Sequence, residues 1–282
     1  MIWTVIALLL PGLAIGPTAA VALTRGHWQI IHPRRALLLW GLAGTLGLLL
    51  TVASVLYAAA HSLHVHPGDS LSESMALAVV AWMGLGGLGI AGSLSLLGRG
   101  TLDEEDGDQP GIVELLSRRR TDTWQSGRFT IVVVDDSRLV AVASASNPPT
   151  IFISSAARDS LPASHLSAVI AHEAAHLREH HALLRHLGAW HSACFPKRSR
   201  LRSDLTARIM LLTELAADDI AASRTGPAQL INALSALHAL TPSRELAVRA
   251  ARVRSMHGMS DRSPAPGRLR RRTRPQLRPE SG

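Results

Sequence analysis

Three stretches of this 282-residue chain, residues 2–23, 36–60 and 75–97, contain no charged residue at all. At 1.5 Å per residue, each can reach across a hydrocarbon core of about 30 Å. A buried soluble core rarely uses three such runs in one short chain, so the sequence predicts three N-terminal transmembrane helices within residues 1–98. Pro11, Gly12, Gly16 and Pro17 interrupt the first run, and small residues near Ala19 would permit signal cleavage. That run lacks the positive n-region of a signal peptide, however, and Arg25, Arg34 and Arg35 follow it. We read it as a retained span.

The same arginines set an orientation. The loop after the first run is basic. The loop at 61–74 has neither Lys nor Arg, and basic residues return at Arg99 and Arg118–Arg120. The expectation is a multi-pass plasma-membrane protein with its N-terminus outside and everything after Arg99 in the cytoplasm. The acidic run at 103–108 opposes this weakly. A lone Cys194 excludes an internal disulfide and suits a reducing compartment.

Beyond a juxtamembrane linker at 99–128, the chain holds one domain's worth of sequence at 129–243. Residues 129–134, 139–144 and 150–154 are β-branched or apolar runs separated by turn signals, which predicts a small antiparallel sheet. Residues 162–187, 201–223 and 227–240 read as helices. The semi-apolar stretch 183–195 is too short to span, and is read as a helix end and loop packed on the domain. The overall class is α+β. The remainder, 244–282, carries 11 Arg against Glu245, Asp261 and Glu280. With four prolines after Gly258, it reads as a basic, disordered tail. No aromatic residues interleave its arginines, so direct nucleic-acid contact is not expected, whereas adhesion to anionic lipid would fit.

The chemistry concentrates in His172-Glu173-Ala174-Ala175-His176. Histidines four apart share one helix face and can reach a single ion, with Glu173 placed to take a proton from water beside it. A third ligand is needed. Glu179 and Ala182 stand where another class of zinc peptidase would need Gly and His. Glu179 itself follows on the same helix, so three ligands in line could not surround an ion. Glu214 is the candidate, on a later Ala/Leu-rich helix. Asp218 lies one turn further on, so one carboxylate can bind metal while the other fixes a histidine tautomer.

A sheet, then an HExxH helix, then Glu-x-x-Ala-Asp on a later helix resembles the membrane-bound gluzincin peptidases of the HtpX/Ste type. The chain looks more like the related BlaR/MecR antirepressor peptidases, in a short actinobacterial form, over about residues 129–240. The resemblance implies a zincin-like peptidase domain with one Zn2+ per chain, held by His172, His176 and Glu214. It implies Glu173 as general base and Asp218 as the partner of His172, and regulatory cleavage of a BlaI-like cytoplasmic repressor. An HtpX-like quality-control protease and a catalytically silent adaptor with structural zinc are the alternatives. The sensor domain of the BlaR/MecR proteins has no counterpart here. The family's oxyanion-stabilising Tyr or His is not evident either: Tyr57 falls in a predicted span, which leaves His238, His257 or an arginine such as Arg224.

Overall fold

The structure is a computed structural model. It describes residues 2–62 and 116–258, with four isolated helical positions (Met75, Val79, Met83 and Gly84) between them. Helix α1 (Ile2–Thr24) and helix α3 (Pro33–Ser62) flank a single turn, α2 (Trp28–Ile31). Among the described residues, two helices, Trp3–Thr24 and Pro33–His61, are long and apolar enough to cross a membrane. The third predicted span, 75–97, lies almost wholly outside the described residues. Gly12 explains one of the interruptions in the first run. A Cβ there would come within 2.9 Å of the Thr51 backbone nitrogen, so the glycine lets α1 and α3 pack backbone to backbone.

The sheet is mixed, which corrects the antiparallel expectation. Strands β1 (Arg120–Ser126), β2 (Phe129–Val134), β3 (Ala141–Ser144) and β4 (Thr150–Ser154) lie in the order β1-β2-β4-β3. The central pair β2–β4 is parallel, and the two outer pairings are antiparallel. Burial explains the order. Phe129-Thr130-Ile131-Val132-Val133-Val134 and Thr150-Ile151-Phe152-Ile153-Ser154 are covered on both faces, so they take the centre and the chain must cross over to join them. Polar β1 and small-residue β3 take the edges, where one side stays open. Strand β1 occupies residues read from sequence as linker, so the domain begins earlier than expected.

Six helices follow: α4 (Ser155–Ser160), α5 (Ala163–Arg178), α6 (His181–Ala193), α7 (Arg200–Thr225), α8 (Pro227–Leu240) and α9 (Arg244–Met256). Ile131, Ile151 and Ile153 pack one sheet face against Ala174, Ile170 and Leu177 of α5. The helix predicted at 162–187 is broken at His180, which adopts a left-handed φ of 53°. That conformation is uncommon outside glycine, though histidine is among the residues enriched there. The break turns α6 away from α5 and across α7. Gly226, with φ 94°, makes the turn from α7 into α8, a conformation costly for a side chain with a Cβ.

The long helix α7 joins the two halves of the molecule. Leu205, Ile209, Leu212 and Ala216 pack against Ala20, Leu23, Ala36 and Leu37 of α1 and α3. Its later turns place Ala221 and Ala222 in a core with Leu230 and Leu234 of α8 and Ala250 and Val253 of α9. Helix α9 corrects the sequence reading again. Residues 244–256 belong to this core, and of the expected tail only residues 259–282 fall outside the described residues.

Candidate functional site

Helix α5 presents His172 and His176 one turn apart, with their Nε2 atoms 3.1 Å from each other. Opposite them, Glu214 of α7 places Oε2 3.3 Å from His172 Nε2 and Oε1 3.4 Å from His176 Nε2. Taking one atom from each residue, the three candidate ligand atoms lie within 4.8 Å of one another. A four-coordinate ion with bonds of about 2.0–2.1 Å sets its ligand atoms roughly 3.3 Å apart. The three side chains that the sequence singled out therefore lie close enough together for one metal ion to reach all three. Glu179 stands apart, paired with Arg34 at 2.9 Å, as expected of a surface charge.

The outer nitrogens are also held. Asp218, fully buried, lies 2.9 Å from His172 Nδ1, the partnership anticipated for it. His176 Nδ1 faces His181 Nδ1 at 2.9 Å. For His176 to offer Nε2 to an ion, its proton must sit on Nδ1 and be donated to His181. His181 is thus a member of the site that spacing did not indicate.

Two arginines complete the cluster. Arg185 of α6 donates to Glu214 Oε1 at 2.8 Å and to Thr213 Oγ1 at 3.1 Å. Arg249 of α9 donates to both Asp218 oxygens, at 2.7 and 2.8 Å, and lies 2.7 Å from Glu214 Oε2. Its Nη2 is also 3.3 and 3.4 Å from the two ring nitrogens of His172. Sequence reasoning missed both, because one arginine among 28 carries no local mark of its role. A signal for Arg249 existed in the Leu246, Ala250, Val253 spacing, which marks a buried helix face around it.

With His172 protonated, the charges of the cluster come close to balance. Glu173, Glu214 and Asp218 bring three carboxylates against two guanidiniums, which leaves one negative charge uncompensated. His172 answers it: burial works against protonation, but Asp218 and Glu214 outweigh burial and raise its pKa to about 9. His176, pushed down by burial and then by the His172 charge, stays neutral. A metal ion entering here must expel the His172 proton. Burial raises Glu173 to about 7, against the pull of His172. Glu214 and Asp218 are held below the ordinary carboxylate range, since His172 and Arg249 overcome their burial.

His172, Glu173, His176 and Glu214 form the floor of a cavity of about 580 Å3. The edge strand β3 makes one wall through Ala141 and Ala143, and Leu230, Leu234 and Leu237 of α8 make another. A backbone hydrogen bond from Ala143 reaches Glu173. Arg185 and Arg249 line the same space, whereas His238, His257 and Arg224 do not. His238 instead accepts from the Ser243 amide, and His257 Nδ1 lies against the Val253 carbonyl. The arginines next to the ligands are Arg185 and Arg249, so of the candidates read from sequence an arginine is present, but it is not Arg224. No family model, curated protein or solved structure matches this chain.

Proposed function

We propose that this chain is an integral membrane zinc metalloendopeptidase. The observation that carries the reading is the His172–His176–Glu214 cluster on a cavity floor, with a carboxylate of pKa about 7, Glu173, beside it. Zinc bound by those three side chains would lower the pKa of a water molecule and polarise the scissile carbonyl. Glu173 accepts the proton of the attacking water and passes it to the leaving amine, work suited to a carboxylate poised near neutral pH. Asp218 holds His172 in the tautomer that turns Nε2 inward. Arg185 fixes Glu214 from one side. Arg249, facing the cavity from the other, opposes the negative charge that develops on the carbonyl oxygen. The open edge of β3 offers main-chain groups to an extended peptide.

The biological role proposed is regulatory proteolysis in the cytoplasm, with a BlaI-like repressor as substrate. It is supported by the resemblance to BlaR/MecR peptidases and by the arginine bias around the first two apolar runs. The purified full-length protein should cleave members of a panel of unfolded proteins and candidate repressors. It should lose that activity to a chelator and regain it with zinc. Cleavage that survives exhaustive chelation would sink the reading.

A further inference from the structure

Helix α6 is amphipathic the wrong way round for a helix bathed in water. The face turned to the protein carries His181, Arg185, Gly188 and Ser192, spaced four, three and four apart. These make polar contacts, with His176, with Glu214 and Thr213, and with Thr206. The face turned outward carries Leu183 (59% exposed), Leu187 (41%) and Trp190 (50%), then exposed Cys194, at the same spacing. No charged residue stands on that outer stripe. A soluble domain arranges its surface helices in the opposite sense, with the apolar stripe inward.

A second observation says what covers the stripe. His191, near the end of α6, is clasped between the two candidate spans. Trp40 Nε1 donates to its Nδ1 at 2.9 Å, and its other ring nitrogen faces the Gly16 carbonyl. Gly16 is eight residues from the Thr24 end of α1, and Trp40 is seven residues past the Pro33 start of α3. At 1.5 Å per residue both lie about 10–12 Å inside their helices. The loop that follows α6 and the first residue of α7 expose Lys197, Arg198 and Arg200. Those charges suit the headgroup layer and set a limit to how deep this end can go.

We infer that α6 lies in the membrane interface, with Leu183, Leu187, Trp190 and Cys194 against lipid and its polar face against the catalytic cluster. This rests on the proposal that α1 and α3 cross a bilayer. Interfacial helices of this kind bury their apolar face about 5–10 Å into the headgroup–acyl boundary. Leu183 also lines the cavity, so the placement holds the cavity mouth at the bilayer surface. Arg185 and His181 on the same helix tie that position to Glu214 and His176.

The native Cys194 allows a direct test. The full-length protein is reconstituted into phosphatidylcholine–phosphatidylglycerol vesicles and spin-labelled at Cys194. Labels are placed in a Cys194→Ser background at Leu187→Cys, at Ser203→Cys on the polar side of α7, and at Leu46→Cys in α3. Collisions with oxygen report lipid, and collisions with a nickel chelate report water. Labels at 187 and 194 are expected to favour oxygen several-fold over the label at 203, and to resemble the label at 46. If 187 and 194 behave like 203 while 46 stays in lipid, the interfacial placement is wrong and the spans stand. If 46 is also aqueous, the membrane reading itself fails. Labels at 187 and 194 screened from both reagents would put protein against the stripe and would also overturn the inference. Should Leu187→Cys fold poorly, the share of brominated-lipid quenching of tryptophan fluorescence that disappears on Trp190→Leu reads the same face, the remaining tryptophans being common to both proteins.

Discussion

Replacing Glu173 by Gln is expected to slow peptide hydrolysis by about 10²–10⁴-fold while leaving metal content unchanged. Glutamine keeps the volume and polarity of the side chain but cannot accept the proton. The ligand atoms come from His172, His176 and Glu214, so the cluster itself is untouched. Hydrolysis rate and metal content, measured on the same preparation, separate the role of a base from that of a ligand. A variant that cleaves at the wild-type rate would remove Glu173 from the mechanism. A variant that loses both activity and metal would mean the carboxylate helps hold the ion.

Arg249→Met is expected to cost about 3–5 kcal/mol of stability, the range for removing one partner of a buried ion pair. Arg249 is buried, and its fork is the only guanidinium bonded to Asp218 among the described residues. Without it, Asp218 is left buried beside His172, and Glu214 loses one of its two guanidinium partners. The methionine fills much of the volume, so the loss would come from charge rather than a cavity. Chemical denaturation of the full-length variant reads the effect. Arg244→Met, exposed on the first turn of the same helix, is the control and should change stability by less than about 0.5 kcal/mol. Equal stability of the two variants would reduce the Arg249 network to a surface feature.

What could be read from the sequence followed the range of the interactions. His172 and His176 are related by one helical turn, as are Glu214 and Asp218, so periodicity alone predicted which side chains could converge. Their meeting across α5 and α7 needed only that both helices face one core. The arginines and His181 were hidden because tertiary packing brings them in from helices α6 and α9. The chain's bias toward Arg made Arg249 look like part of a solvated tail. The sheet order was missed for a related reason. Turn signals suggested consecutive hairpins, but the demand that the two most apolar strands lie at the centre prevailed over local connection. The break at His180 has no glycine or proline to announce it. The inverted face of α6 was written in the sequence, yet it becomes informative only once it is known which side meets protein.

The zinc site proposed at His172, His176 and Glu214 can be measured in solution. Its most direct measurement is calorimetric titration of the metal-stripped, full-length protein with Zn2+ at several pH values. We expect one ion per chain. Because the His172 pKa is raised to about 9 and its proton must leave, affinity should rise about tenfold per pH unit between pH 6 and 8. The His172→Ala/His176→Ala double variant should lose this binding. Zinc uptake that is equal in the wild type and the double variant, or none at all in the wild type, would rule out a zinc site at these three residues.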